Sequence, residues 1–301
     1  MKIVIIGFGS IGRRHAMVLK KNFKSCKLFI CTKQKIKGHK CFKDLAQIKL
    51  IQPDYVIIAS ETHKHLGQLK FLEKNFSKLK ILVEKPLFKK FTNLKIKKNS
   101  VFVGYNLRFH PFIMDLLSVL KRNEILDAQF ITNSFLPDWR KNISYQNNYA
   151  AHKSKGGGII LDLSHDLDLI HFFFENIKIK FVSFGKKSKL NLQTEDNLKF
   201  FAKSNDTHIS LDLKYYSRNK LRIILIDSYK FSIYVDLVKN TYCITNKFNS
   251  KKIKKNYHIN YSYTQMHKAI IFGKNSKLLC SYADGLKVLK TIKKIKNKNY
   301  D

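Results

Sequence analysis

The chain is 301 residues long, enough for two domains each with its own core, and no apolar run in it approaches the roughly 20 residues of a membrane-spanning helix. Its 58 Lys and Arg against 21 Asp and Glu give a net charge of +37, but the excess is nearly all Lys and is scattered from end to end among many Asn, Ile, Phe and Tyr. A coding bias toward A and T acting on tolerant surface positions produces that pattern, whereas a nucleic-acid binder concentrates its cations on one element, so neither nucleic acid nor a membrane is an expected partner. The five cysteines (Cys26, Cys31, Cys41, Cys243, Cys280) form no CxxC pair and no metal-ligand spacing, no charged-then-apolar leader is present, and reduced thiols in a cytoplasmic protein are expected.

Lys2–Ile6 is mostly a continuous apolar run, as in a strand buried on both faces of a parallel sheet, and it leads into Gly7-Phe8-Gly9-Ser10-Ile11-Gly12 and then a helix-like Arg13–Leu19. Further strand candidates are Lys27–Thr32, Tyr55–Ala59, Lys80–Val83 and Val101–Val103, with a helix over Thr62–Asn75 carried by Leu66, Leu69 and Leu72. Strands alternating with helices predict crossover units and a parallel sheet whose ligand crevice lies at the carboxyl ends of the strands. After Asn106–Pro111 the character changes. Leu126–Leu136, Phe181–Phe184, Leu198–Ala202, Ile209–Tyr215, Leu221–Asp227 and Phe231–Leu237 read as strands, interrupted by one strong helix, Ile159–Phe174, and followed by a Lys-rich helix with a Leu286, Leu289, Ile292, Ile295 stripe. The expected fold class is therefore α/β: a Rossmann parallel sheet over residues 1–120 and an α+β domain on an open, largely antiparallel sheet over 121–301.

In the glycine motif Gly7 makes the tight turn, Gly9 lets the backbone approach a pyrophosphate, and Gly12 allows close helix-to-strand packing. The N–H groups of Ser10, Ile11 and Gly12 at the helix start would hold the phosphates. The bland alternative is a loop that only turns a corner. The second strand ends Cys31-Thr32-Lys33-Gln34-Lys35, without the acid that NAD-specific sites place there. Thr32, Lys33 and Arg13 suit a 2′-phosphate, which favours NADP over NAD. Ser60 and Glu84-Lys85-Pro86 follow two other strand ends and are expected to face the crevice. A lysine there can hydrogen-bond a substrate hydroxyl and shuttle its proton, while the alternative is one more solvated Lys. Asp162, His165 and Asp168 recur at spacings of three within Gly156–Asp168, so on a regular helix they share a face. Such a trio suits proton transfer or metal ligation, or it is a solvated helix face.

Gly7–Gly12, Glu84-Lys85-Pro86, Gly104-Tyr105-Asn106-Leu107-Arg108-Phe109-His110-Pro111 and Gly156–Asp168 together resemble the Gfo/Idh/MocA oxidoreductase family. The resemblance implies an N-terminal domain that holds NAD(P) and a C-terminal open-faced sheet that binds a sugar, nucleotide sugar, cyclitol or related polyol, with hydride transfer to or from a hydroxyl-bearing carbon. By resemblance Lys85 matches the catalytic lysine, His165 the proton-transfer histidine and Asp162 the acid that precedes it, with no metal. Here two residues rather than the usual three separate that acid from the histidine. Leu136-Pro137-Asp138-Trp139-Arg140 with Tyr145 and Tyr149 resembles a subgroup of surface-polysaccharide sugar pathways. A homo-oligomer is expected, and the rival reading is a non-catalytic nucleotide-sensing or polyanion-binding protein on the same fold.

Overall fold

The computed structural model describes residues 1–139, 144–147 and 149–297. Arg140 of the aromatic loop and the end of the Lys/Asn-rich tail lie outside the described residues. The chain divides into two compact units, one of Met1–Phe109 with Ile259–Lys290, the other of His110–His258 with the residues after Lys290.

The first unit begins β1 (Lys2–Ile6), α1 (Ser10–Asn22), β2 (Lys27–Cys31), β3 (Lys40–Phe42), α2 (Ile48–Ile51), β4 (Tyr55–Ile58), α3 (Thr62–Asn75), β5 (Lys80–Val83) and β6 (Ser100–Val103). Strand β1 is paired in parallel on both sides, to β2 and β4, which leaves Ile3, Val4 and Ile5 with no exposure. That burial on both faces is why the run is apolar without alternation. Pairs β4–β5 and β5–β6 continue in parallel, so the segments after β1, β4 and β5 all leave the sheet at its carboxyl edge.

The second unit carries α4 (Pro111–Leu120), β7 (Asp127–Phe135), α5 (Ile159–Asp162), α6 (Ser164–Phe173), β8 (Lys178–Gly185), β9 (Asn197–Ser204), β10 (Thr207–Lys214), β11 (Tyr216–Asp227), β12 (Phe231–Asp236), β13 (Thr241–Asn246) and β14 (Ser250–Lys254). Its eight strands run in the order β14-β13-β12-β11-β7-β10-β9-β8, all neighbours antiparallel except β7 and β10. Ala128, Phe130, Leu211, Ile224 and Ile226, alternating with more exposed residues on β7, β10 and β11, build one buried face. The single helix expected over Ile159–Phe174 is broken at Leu163 (φ −95°, ψ 23°) into α5 and α6.

The chain then returns to the first unit through α7 (Tyr261–Phe272), β15 (Cys280–Ser281) and the start of α8 (Tyr282–Asn297). Strand β15 adds antiparallel to the edge strand β6, with Cys280 opposite Val103. The division therefore differs from a single cut at residue 120: α4 belongs to the second unit and 259–290 to the first. Helix α7, a two-residue strand and the start of α8 carry no periodicity that would assign them to either sheet. Among the described residues no helix is long and apolar enough to cross a membrane.

Candidate active site

The glycine loop closes as its sequence requires. Gly7 turns at φ +93°, its N–H donating to the Cys31 carbonyl (2.9 Å), and a Cβ there would lie 2.7 Å from the Ser60 backbone. A Cβ on Gly12 would run into the Gly7 carbonyl oxygen, so α1 packs onto β1 only through glycine. At Gly9, by contrast, an added Cβ would meet nothing within 4 Å. Gly9 is also the N-cap of the 13-residue helix α1, and the N–H groups of Ser10, Ile11 and Gly12 open its first turn. Open space beside uncapped donors at a helix N-terminus is the arrangement a pyrophosphate fits.

Beyond β2, Thr32 Oγ1 accepts from the Gln34 N–H (3.2 Å), turning the chain so that Lys33 is exposed. Arg13 reaches this turn from α1. Its Nε donates to the Phe8 carbonyl (3.2 Å), its guanidinium lies over the Phe8 ring (5.1 Å), and Nη2 donates to Gln34 Oε1 (3.5 Å). A cavity of about 760 Å³ opens alongside, with Arg13, Lys20, Lys35, Lys37 and His39 on its walls and Phe8 in its lining.

Ser60 and Glu84 follow β4 and β5, their approach fixed by the Ala59 N–H to Ile6 and the Glu84 N–H to Ile58 carbonyls (2.8 and 2.9 Å). Ser60 Oγ donates to Gln68 on α3 (2.7 Å). His65, also on α3 and nearly fully buried, joins the two loops: Nε2 faces the Ser60 carbonyl (3.1 Å), and Nδ1 the Pro86 and Leu87 carbonyls (3.2 and 3.3 Å). Burial holds its pKa below the usual imidazole value despite those carbonyls. Glu84 is buried, with His15 Nε2 on Oε1 (2.9 Å) and the Lys85 main-chain N–H donating to Oε2 (3.2 Å). Lys85 itself is half-buried.

In the second unit, Asp162 ends α5 and His165 sits in the first turn of α6. The trio does not make a solvated helix face: Asp162 and Asp168 are 2% and 0% exposed, and from Ile159 to Ile170 His165 is the partly exposed residue. Asp162 Oδ2 accepts from the Tyr215 phenol (2.6 Å), and burial together with Asp162 raises the Tyr215 pKa well above 10. Trp139 from the aromatic loop packs edge-on against Tyr215 (5.3 Å between centroids). Asp166, absent from the sequence-derived set, accepts from Thr132 Oγ1 on β7 (3.0 Å) and from Arg222 Nη2 on β11 (3.1 Å). It anchors α6 to the sheet, and burial raises its pKa although Arg222 opposes the shift. No cluster of His, Cys, Asp and Glu suited to a metal ion occurs among the described residues.

Residues 1–100 match the family model described as "Oxidoreductase family, NAD-binding Rossmann fold", GFO_IDH_MocA. That match, to the Gfo/Idh/MocA model, spans the first third of the chain.

No curated protein matches the chain in sequence. Among solved structures, it resembles UDP-N-acetylglucosamine 3-dehydrogenase GnnA from Acidithiobacillus ferrooxidans at 16% identity and a TM-score of 0.75, covering 98% of this chain and 96% of that one. It also resembles the WlbA dehydrogenase from Bordetella pertussis, solved with NADH and UDP-GlcNAcA (13%, TM-score 0.77, 98% and 94% covered). A third similar fold is a super-repressor mutant of Gal80p from Saccharomyces cerevisiae (12%, TM-score 0.79, 98% and 95% covered). At these identities the likeness is one of fold, and it extends through both units.

The first unit brings Gly7, Ser60, Glu84 and Lys85 to one sheet edge and Arg13 to the turn of Thr32 and Lys33. Asp162 and His165 belong to the second unit. Sequence reasoning missed His15, His65, His267 and Asp166. The signal for His15 was a histidine on the apolar face of α1, which in isolation reads as core.

Proposed function

We infer that the protein is an NAD(P)-dependent oxidoreductase acting at a hydroxyl or keto carbon of a sugar, nucleotide sugar or related polyol, with NADP preferred to NAD. The observation that carries the reading is the half-buried Lys85 at the carboxyl end of β5, two strands from a glycine loop with open space beside Gly9. The oxidoreductase family-model match over residues 1–100 supports it, as do similar folds that take UDP-sugars.

Gly7, Gly9 and the N–H groups of Ser10, Ile11 and Gly12 would hold the pyrophosphate, with Ser60 and Glu84 at the neighbouring strand ends. The nicotinamide, when bound, supplies a hydride acceptor or donor. Lys85 is assigned the substrate oxygen: its ammonium stabilises developing alkoxide charge and exchanges the hydroxyl proton. His165, the partly exposed group in an otherwise buried stretch, is assigned to proton transfer. Asp162 is assigned its orientation, and it also holds the buried Tyr215. The NADP preference is supported by Thr32, Lys33 and Arg13 around a turn with no carboxylate and by the cationic cavity beside it.

Thermal-shift titration with NAD and NADP tests the cofactor, and a tighter response to NAD would refute the preference. Mixing the protein with either nucleotide and a panel of sugars and nucleotide sugars should produce absorbance of reduced nicotinamide that Lys85→Ala abolishes. Nucleotide binding without turnover on any substrate, together with DNA binding that survives moderate salt, would favour the rival sensing or polyanion-binding reading.

A further inference from the structure

The first unit buries a continuous line of polar side chains drawn from four separate elements. Tyr55 Oη, at the start of β4, lies 3.1 Å from His267 Nδ1 on α7. His267 Nε2 lies 2.9 Å from His15 Nδ1 on α1, and His15 Nε2 lies 2.9 Å from Glu84 Oε1. The other carboxylate oxygen accepts the Lys85 main-chain N–H. Tyr55, His15 and His267 are 0% exposed and Glu84 is 4% exposed. Tyr263 packs edge-on against His15 (5.5 Å) and Phe23 against His267 (6.3 Å), closing the line off from water.

A buried carboxylate costs several kcal/mol unless its oxygens are hydrogen-bonded, and each buried imidazole nitrogen needs a partner of the right kind. Burial holds His267 well below its usual pKa, so it is neutral, with one N–H and one lone pair. Burial likewise keeps the Tyr55 phenol protonated. With a single N–H on each ring and no proton on Glu84, one assignment makes every bond. The Tyr55 O–H donates to His267 Nδ1, His267 Nε2–H donates to His15 Nδ1, and His15 Nε2–H donates to Glu84 Oε1. Reversing the line requires one additional proton, on His15 or Glu84.

We propose that His15 and His267 are positioning residues for Lys85: the line that starts at Tyr55 fixes the tautomer of both rings, holds Glu84 as a carboxylate, and through its second oxygen fixes the Lys85 main chain. The proposal rests on the oxidoreductase reading for what Lys85 does, but not for how it is held. Neither histidine touches substrate. Each acts through Glu84.

The test has two readouts that need no substrate. In protein labelled with ¹⁵N-histidine, long-range proton–nitrogen spectra should show both His15 and His267 carrying their proton on Nε2, assigned by single-histidine variants. An Nδ1–H tautomer at either ring, or a doubly protonated His15, overturns the proposal. Hydrogen exchange at single-residue resolution should show the Lys85 amide losing protection on the order of tenfold in His267→Phe and His15→Phe, while the amides of β1 keep theirs. His267→Gln, which can accept from Tyr55 and donate to His15, should recover most of that protection. Equal Lys85 protection in His267→Phe, or a loss spread evenly over the sheet, also overturns it. If His267→Phe does not fold, the tautomers and the Gln variant still decide. Turnover measured in the same variants separates the two claims: a lost kcat with unchanged nucleotide affinity joins them, and absent turnover in the parent protein leaves the positioning result standing.

Discussion

A lysine among dozens of others is distinguished only by what surrounds it. Lys85 is half-buried at a strand end, and its main chain is held by a buried carboxylate, whereas the typical lysine of this chain is a solvated surface group. If it and His165 handle the substrate proton, Lys85→Ala and His165→Ala should each lower kcat by about a hundred- to ten-thousand-fold, the usual worth of positioned acid–base catalysis. Nucleotide affinity should stay nearly unchanged, since neither residue is assigned to the pyrophosphate. Steady-state kinetics and nucleotide titration on the same preparations check this, and near-normal turnover in His165→Ala would remove that residue from the mechanism. Gly12→Ala is expected to behave oppositely. The new methyl meets the Gly7 carbonyl oxygen, so the helix must back away from the strand. Overpacking of this kind costs about 1–3 kcal/mol and moves the phosphate-binding turn, so both melting temperature and nucleotide affinity should fall.

Helix α6 is placed by an ion pair as well as by apolar packing. Asp166 is buried, and its partners Thr132 and Arg222 come from the two central strands β7 and β11. Removing one partner of a buried pair leaves an uncompensated charge, so Arg222→Ala should cost about 3 kcal/mol in chemical denaturation. The deficit has a defined pH dependence. Burial raises the folded-state pKa of Asp166 above 3.8 and Arg222 lowers it, so losing Arg222 raises it further. A raised carboxyl pKa gives stability that is present below the unfolded value and lost as pH rises through the folded one. The Arg222→Ala deficit should therefore shrink as pH falls toward 4, and a pH-independent deficit would mean that lost packing dominates. The same helix shows where sequence reading stops. The spacing of Asp162, His165 and Asp168 is legible, but the break at Leu163 is not, and it is the break that takes Asp162 off the regular register of α6. Strands β1, β4 and β5 were legible because burial on both faces writes a continuous apolar run. Strand β14, Ser250–Lys254, has Lys at three of its five positions and is held by pairing to β13 rather than by an apolar face. His15 and His267 lie 252 residues apart, and no local pattern announces that they meet.

At the scale of the molecule, two electrostatic effects act on stability and can be separated. A net charge of +37 destabilises any compact state through self-repulsion, and this is screened by salt, with a Debye length of about 10 Å at 0.1 M. Buried histidines act differently. His65 and His267 in the first unit and His110 in the second all have pKa values lowered by burial. Their unfolded forms bind protons at a higher pH than their folded forms, so stability is full above about pH 6.5 and is lost as pH falls through the folded values. Protonation strikes interior groups that salt does not reach: His267 would lose its acceptor role toward Tyr55, and His110 Nδ1 its acceptance of the Phe112 N–H. Raising ionic strength from about 20 to 200 mM should therefore raise the melting temperature at pH 7.5, where repulsion is the main term. The decline in melting temperature between pH 6.5 and 5 should persist at the higher salt, and it should be steeper for the first unit, which holds two of the three groups. Calorimetry at both ionic strengths checks both statements. An acid-side decline that vanished in salt would assign it to surface repulsion and leave the buried histidines without a part in it.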